Sequence, residues 1–251
     1  LNSNSSNAEM TGNYVQHSAR TTSGSWVFDW VAPSSDVGEV TFSASGLATG
    51  GNNGNGGDDV YTVSSSIMAQ IPVDLTGLFF SEYAEGSSNN KYIEIFNGTG
   101  NEVDLSTVAV LRANNGGTNP NVYPLIGTLA DGEVYVIANS QASSDILAFN
   151  DDDGSAMEVT YFNGNDYLGL VHDSNGDGVF DNATEVIDVI GVFGEDVYWD
   201  VAGVSPGTQE HTLVRKSNVS EGNTDWNSSS GTDANSSEWH VLDQDTWDYL
   251  G

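Results

Sequence analysis

The amino-acid sequence predicts an all-β fold, and two observations carry the prediction. Short runs of aromatic and β-branched residues alternate with polar residues and are separated by clusters of Gly, Ser and Asn, as in strands joined by turns. No long stretch of the sequence has the apolar period of about 3.6 residues that marks an amphipathic helix. A short apolar linker at residues 68–77 divides the chain near Asp74, so we expect two β domains, residues 1–74 and 75–251.

Three strands are predicted in the first domain. Residues 25–31 place three aromatic side chains on one side under a period of two, and residues 38–46 alternate in the same way. A third strand is expected to begin at Asp58, after a Gly/Asn-rich loop at residues 50–57. Three strands with an exposed aromatic face are too few for an independent sandwich, so that face needs a cover.

Residues 11–68 resemble a known domain type in the order of their motifs. The order H-x-x-x…W-x-F-x-W-x-A-P…G-x-V-T-F…G-D-D-V-Y-T is similar to the C-terminal half of a Reeler-type domain. The resemblance implies a partial immunoglobulin-like sandwich, for which further strands would be needed upstream. Three covers for the aromatic face stay open: the second domain, sequence upstream of Leu1, or a strand added by another molecule through β-augmentation. The last would make the protein a filament subunit.

The second domain is organised around residues 78–111, LFFSEYAEGSSNNKYIEIFNGTGNEVDLSTVAVL. This stretch reads as three strands joined by two turns, because apolar runs alternate with Gly/Ser/Asn clusters. Asn89 and Asn90 are expected in the first turn, and Glu94 is expected to face outward from the strand that follows.

A series of motifs in residues 78–251 resembles the lamin-tail domain of secreted bacterial proteins. The motifs are S-E-Y-x-E-G-S-S-N-N-K-Y-x-E-I-x-N-G-T-G from Ser81, D-L-S from Asp104, L-x-D-G-E-V-Y-V-I-A-N from Leu129, F-N-G-N-D-Y-L-G-L from Phe162, I-D-V-I-G from Ile187 and T-L-V-R-K from Thr212. The resemblance implies an immunoglobulin-like β-sandwich used as a module. A fold of this kind does not by itself define a function.

Charge and composition restrict the partners. The chain has 5 Lys and Arg against 36 Asp and Glu, a formal net charge of −31. Nucleic acids are bound largely through Lys and Arg contacts to phosphates, and anionic membranes attract basic segments, so we expect neither as a partner. No window of about 18 apolar residues exists, so membrane insertion is not expected. The absence of cysteine favours a secreted bacterial protein, extracellular or on the cell surface, that depends on its core and on bound metal.

The strongest chemical pattern is H-D-S-N-G-D-G-V-F-D-N-A-T-E at residues 172–185. Calcium prefers about six to eight oxygen ligands, which a tight loop supplies from alternate positions, with Gly allowing the sharp turn. The sequence therefore predicts a calcium loop between two strands, closed by Glu185 or Asp188. The other predicted ligands are the side chains of Asp173, Asn175, Asp177 and Asp181 and the carbonyl of Val179. A hairpin turn without an ion is the alternative.

Aromatic residues in irregular segments are the candidates for ligand contact. Tyr123, in a predicted polar loop at residues 112–124, can stack on a sugar or anchor the loop. Trp239 and Trp247 can pin the C-terminal segment to the sandwich or form a carbohydrate platform. The acidic run at residues 151–154 is expected to be a solvated turn, with a cation site as the alternative.

Catalytic motifs are absent from the sequence. It contains no H-E-x-x-H, G-x-S-x-G or P-loop and no cysteine, and its 4 histidines are far apart. We therefore expect a non-catalytic structural or adhesion module, stabilised by calcium, whose partners are extracellular proteins or polysaccharides. Two alternatives stay open: a carbohydrate-binding accessory module of a secreted hydrolase or nuclease, and a self-associating filament subunit joined by strand complementation.

Overall fold

The computed structural model describes residues 8–18, 25–27, 29–32, 37–49, 57–67 and 74–251. The chain divides into two compact units, Leu1–Ile71 and Pro72–Gly251, and each unit is described by itself. Phe28, residues 50–56 of the predicted Gly/Asn-rich loop and residues 68–73 of the predicted linker lie outside the described residues.

The described part of the first unit forms two antiparallel hairpins. Their strands are β1 (Ala8–Thr11), β2 (Tyr14–His17), β3 (Val40–Ala48) and β4 (Asp59–Ile67). β3 and β4 confirm two predicted strands and pair along their whole length. The strand predicted at residues 25–31 is wrong for its described part, where Asp29 forms only a single bridge. The aromatic residues there contribute through side chains instead, since Trp30 packs edge-to-face on Phe42 with ring centroids 5.1 Å apart.

The second unit is built mainly from strands, as the apolar runs between Gly/Ser/Asn clusters predict. Its helices are α1 (Ser144–Leu147) and α2 (Trp226–Ser230), and single 3₁₀ turns lie at Leu105–Thr107 and Met157–Thr160. Its strands are β5 (Leu78–Glu85), β6 (Lys91–Asn97), β7 (Val103–Asp104), β8 (Val108–Ala113), β9 (Asn121–Pro124), β10 (Thr128–Leu129), β11 (Val134–Ala138), β12 (Tyr167–His172), β13 (Val186–Ile190), β14 (His211–Arg215) and β15 (Trp239–Asp243).

Two antiparallel sheets face each other in the second unit. One has the strand order β11-β6-β5-β14-β15 and the other β13-β12-β8-β9, while β7 and β10 pair separately. The main apolar core lies between the sheets, because it takes Phe80 and Leu213 from the first and Val110 and Leu168 from the second. This architecture confirms the predicted all-β class and fits an immunoglobulin-like sandwich.

A β-bulge changes the alternation within β5. The pairing of β5 with β6 shifts register between Phe80 and Glu82. The extra residue reverses the faces, so Phe80 and Tyr83 both lie in the core although they are three positions apart in the sequence. Glu82 consequently lies on the outer face of the sheet.

The outer face of the five-stranded sheet is covered. A second apolar cluster joins Tyr92 and Val136 of the sheet to Ile146 of α1 and Leu250 near the C-terminus. Glu94 does point away from the core, as predicted, but it is only 4% exposed. The main-chain N–H of Gly251 donates a hydrogen bond to Glu94 Oε2 at 2.8 Å, so the C-terminal segment removes this side chain from solvent.

Candidate functional site

The predicted calcium loop connects β12 to β13, so its place between two strands is confirmed. Hydrogen bonds close its base: His172 N donates to the carbonyl of Glu185 at 3.0 Å, and Asp173 N donates to the carbonyl of Thr107 at 2.9 Å. The sandwich therefore holds the start and the end of the loop, while most residues between them are exposed.

Asp173, the first predicted ligand, organises the turn that follows it. Its carboxylate oxygens accept hydrogen bonds from Asp177 N at 3.1 Å and from Gly178 N at 2.9 Å. Gly178 has a φ of +78°, a conformation that L side chains rarely adopt, so the chain can turn sharply at this position. The loop is thus wrapped around the carboxylate of Asp173.

Glu185 joins the two halves of the loop. It is 5% exposed, and its two oxygens accept hydrogen bonds from Ser174 N at 3.2 Å and Asp181 N at 3.0 Å. Carboxylate oxygens have a second lone pair, and an all-oxygen donor set of this kind suits calcium. Across residues 74–251 and the described parts of the first unit, no group of three or more His, Cys, Asp or Glu side chains stands together as a metal site. The loop carboxylates therefore do not form a preassembled metal site in this structure.

Asp188, the alternative closing ligand, is used elsewhere, so that expectation is wrong. Its carboxylate is fully buried, accepts hydrogen bonds from Phe80 N and Asn223 N at 2.8 Å each, and forms an ion pair with Arg215. Beside the loop, burial lowers the pKa of His172, and the nearby carboxylates of Glu185 and Asp173 only partly oppose this effect. The His172 imidazole is therefore neutral near pH 7 and adds no positive charge to the loop.

Two neighbouring cavities, of which the first adjoins the candidate calcium loop, are together called the aromatic groove. The first has a volume of about 380 Å³, and its lining includes Asn182, Ala183, Thr184, Tyr167, Phe193 and Trp226. The second has a volume of about 480 Å³, and its lining includes Tyr198, Trp199, Asp200, Trp226 and Thr232. Trp226 and Asn227 line both cavities, so the two cavities are adjacent. Each volume lies in the range of small-ligand sites.

Two tryptophans of the aromatic groove have unsatisfied donors. Trp199 and Trp226 are 7% and 2% exposed, and neither indole Nε1–H finds a hydrogen-bond partner within the described residues. Gly191 makes room for the first indole, because a Cβ at that position would lie 2.6 Å from Cη2 of Trp199. A buried donor without a partner costs about 1–3 kcal/mol. The fold holds both indoles in place at that cost.

Two of the three aromatic residues predicted to contact a ligand are enclosed by the core. Residues 121–124 form strand β9 rather than a loop, with Tyr123 paired to Val110 and only 7% exposed. Trp239 is fully buried beside Trp226. Both ligand expectations are corrected, since an enclosed ring offers no face to a sugar. Trp247 is partly buried and packs against the second apolar cluster. Its role in ligand binding stays a prediction.

The acidic run at residues 151–154 forms a turn whose carboxylates bind main-chain N–H groups. Asp151 Oδ2 accepts a hydrogen bond from Val136 N at 2.9 Å, and Asp152 Oδ2 accepts one from Gly154 N at 2.8 Å. Asp152 is buried, so the turn is less solvated than the sequence predicts.

An ion pair between the two sheets was not predicted from the sequence. Arg215 of β14 contacts the carboxylate of Asp188 in β13, and it also pairs with Glu238 at 2.7 Å. Its Nε donates to the carbonyl of Phe80 at 3.1 Å, and its guanidinium lies 4.1 Å from the ring centroid of Trp239. Asp188 lies in the apolar motif I-D-V-I-G, and Arg215 lies in T-L-V-R-K. A charged residue within an apolar run was the feature of the sequence that could have indicated this buried ion pair.

Two carboxylates lie opposite each other on the outer face of the five-stranded sheet. Glu82 of β5 and Glu94 of β6 are register partners, and they are 2% and 4% exposed. Burial raises the pKa of Glu82 to about 8, against the lowering effect of a 2.7 Å hydrogen bond from Tyr92 Oη. Burial also raises the pKa of Glu94. This pair is a source of pH-dependent stability.

The facing sheets and their loops define the class of the second unit as an immunoglobulin-like β-sandwich module. Within it, residues 74–193 match the family model of the Lamin Tail Domain, which supports the resemblance found in the sequence. That family is one of structural domains. Neither a curated protein nor a solved structure matches the chain. In the described residues, no helix has the length and apolar character needed to cross a membrane.

Proposed function

We propose that this chain is a non-catalytic module of a secreted or cell-surface bacterial protein, stabilised by calcium, that binds extracellular proteins or polysaccharides. The observation that carries the proposal is the loop at residues 173–185, whose oxygen donors follow the order of a calcium loop and whose base is hydrogen-bonded to the sandwich. The lamin-tail match at residues 74–193 supports a structural module. The Reeler-type resemblance of residues 11–68 belongs to the same proposal.

Calcium would be held by oxygens from both halves of the loop. The donors are the side chains of Asp173, Asn175, Asp177, Asp181 and Glu185 and the carbonyl of Val179. When bound, the ion supplies a charge-neutralising cross-link between these oxygens. Three loop aspartates in a chain of net charge −31 repel one another, so a cation relieves repulsion that the fold otherwise bears. Because the loop base is tied to β12 and β13, ordering the loop also stabilises the sheet edge.

Calcium is expected to raise the melting temperature of the protein. At a calcium concentration about 100 times Kd, stabilisation is about 2.7 kcal/mol, or about 5–10 °C for a unit of this size. Asp177→Asn should weaken calcium binding about tenfold, which removes about 1.4 kcal/mol of that stabilisation. It keeps the side-chain oxygen that accepts a hydrogen bond from Val179 N, so the turn survives. Differential scanning calorimetry in calcium and in chelator measures these effects.

Asp153→Asn is the matched control for the calcium experiment. Asp153 is also an exposed aspartate whose side chain accepts a main-chain hydrogen bond, from Ser155 N, but it lies in the acidic run at residues 151–154. The Asp153→Asn protein should respond to calcium as the unaltered protein does. An equal response to magnesium at matched ionic strength would contradict the proposal, because it would indicate screening of the surface charge rather than a calcium loop.

Self-association is a second candidate function, favoured by the β3–β4 hairpin. The period of two places Tyr61, Val63 and Ile67 on one face of β4 and Thr62 and Ser64 on the other. The three apolar side chains are 51–66% exposed within the described structure. A two-stranded ladder with an exposed apolar face is marginal alone and suits a partner strand from another copy, as in a filament.

A lysine on the apolar face should abolish self-association. We expect the unaltered protein to form filaments as its concentration rises, and Val63→Lys to leave it monomeric, because a buried unpaired charge opposes docking. Ser64→Lys introduces the same charge at the next position, on the polar face, and should leave assembly unchanged. Light scattering and negative-stain microscopy measure the outcome. Filaments of equal abundance in both variants, or none in the unaltered protein, would contradict this candidate.

A further inference from the structure

We propose that the aromatic groove beside the candidate calcium loop binds neutral oligosaccharides. This inference deepens the proposed function, and its calcium dependence rests on that function. The groove lies wholly within residues 74–251 and is lined by aromatic rings, hydroxyls, amides and carboxylates. Rings suit the apolar faces of pyranose sugars, while the polar groups suit their hydroxyls.

The unsatisfied indoles point to a ligand that accepts hydrogen bonds. Trp199 and Trp226 line the groove, are more than nine-tenths buried, and have no partner for Nε1–H within the described part of the chain. An indole is a donor only, and both Nε1 atoms are shielded from solvent, so a ligand oxygen bonds them only after the lining residues move. Sugar hydroxyls and ring oxygens are acceptors of the required kind.

Charge selects a neutral ligand over an acidic one. None of the described residues that line either cavity is Lys or Arg, whereas Asp225 lines the first and Asp200 the second. With a net charge of −31, the protein repels carboxylated or sulfated polysaccharides. The hydroxyls of a neutral sugar instead donate hydrogen bonds to the two aspartates, which is a charge-assisted interaction.

The most exposed aromatic ring in the groove is that of Tyr198. It is 47% exposed and lines the second cavity, next to the buried indole of Trp199. An exposed tyrosine can stack on a sugar without loss of core packing, so its removal tests the groove without unfolding the sandwich. Tyr249 is 63% exposed and lines neither cavity, which makes it a matched control.

The calcium loop contributes one wall of the groove. Asn182, Ala183 and Thr184 line the first cavity, and they are the residues that immediately precede Glu185. Asn182 Oδ1 also accepts a hydrogen bond from Tyr167 Oη at 2.8 Å, which links the loop to a second residue that lines that cavity. An ion that orders the loop therefore orders this wall, and sugar binding should weaken when calcium is removed.

Affinity electrophoresis of the full chain tests the proposal. The gels contain β-glucan, xylan or galactomannan as neutral polysaccharides, and alginate as the acidic one. We expect at least one neutral polysaccharide to retard the protein and alginate to leave its mobility unchanged. Tyr198→Ala should weaken that retardation at least tenfold in Kd, and Tyr249→Ala should not. Trp226→Phe keeps an aromatic ring but removes the N–H, and should weaken binding several-fold.

The outcomes separate the groove from the calcium proposal. If calcium raises the melting temperature but no neutral polysaccharide retards the protein, or if both tyrosine variants lose binding equally, the groove inference is overturned and the proposed function stands. If a neutral polysaccharide binds through Tyr198 while calcium changes neither stability nor retardation, the sugar site is supported. The proposal that calcium stabilises the protein is then overturned. Retardation by alginate alone overturns the choice of a neutral ligand.

Discussion

Replacement of Arg215 by methionine is expected to destabilise the second unit by about 3–5 kcal/mol. The substitution keeps an unbranched apolar stem but removes the only cation that contacts the buried carboxylate of Asp188 within the described residues. Asp188 would then remain buried with an uncompensated charge between the two sheets. The hydrogen bond from Arg215 Nε to the Phe80 carbonyl and the contact with the Trp239 ring would also be lost. Urea denaturation followed by tryptophan fluorescence measures the change.

Arg112→Met is the matched control for this experiment. Arg112 is also 6% exposed, as Arg215 is, but its Nε and Nη1 have no hydrogen-bond partner in the described structure. Its guanidinium Cζ lies 5.7 Å from the centroid of the Tyr161 ring. Removing an unpaired buried charge should be neutral or stabilising. Equal destabilisation by both substitutions would contradict the assigned role of the ion pair, whereas recovery of stability in the Arg215→Met, Asp188→Leu double variant would support it.

The strands of the second unit were predictable because their pattern is local. Apolar and aromatic runs separated by turn residues predict β5, β6 and β8 directly, and the loop at residues 172–185 was correctly placed between strands. The loop at residues 112–124 was predicted less well, because β9 has only four residues and is identified mainly by its pairing with β8. Strand pairing is a long-range property that a sequence window does not contain.

Burial of charged side chains was the main feature that the sequence did not indicate. Alternation along β6 put Glu94 on the outer face correctly, but its burial depends on Gly251, which is 157 residues away in the chain. Asp188 and Arg215 likewise lie in motifs that meet only when the two sheets pack. Trp239 was considered as a ligand platform because composition alone does not distinguish a buried ring from an exposed one. Tertiary packing therefore determines which of these side chains are buried and which can contact a ligand.

The stability of the second unit is expected to fall as pH rises from about 5 to 8, and Glu82 is the main cause that we identify. Burial raises the pKa of Glu82 in the folded protein to about 8, from its ordinary value of 4.5. Between these values the folded state binds more protons than the unfolded state, so raising the pH favours unfolding. The effect is largest once pH exceeds the folded pKa and amounts to about 3–4 kcal/mol.

Glu82→Gln should remove most of this pH dependence. Gln resembles the protonated side chain and can still accept the hydrogen bond from Tyr92 Oη. The variant should match the unaltered protein near pH 5 and exceed its free energy of unfolding by about 3 kcal/mol near pH 9. Denaturant titrations in chelator and at constant ionic strength measure the difference, since calcium binding also depends on pH.

Glu102→Gln removes the charge of an exposed glutamate and serves as the control for Glu82→Gln. Above about pH 8 both variants remove one negative charge from the folded protein, so a general relief of surface repulsion would affect them equally there. We expect the Glu102→Gln protein to follow the unaltered protein at every pH. The Glu82→Gln protein should keep a smaller dependence of stability on pH, because burial raises the pKa of Glu94 as well. Parallel curves for the unaltered and Glu82→Gln proteins would show that the buried carboxylate is not the source of the pH dependence.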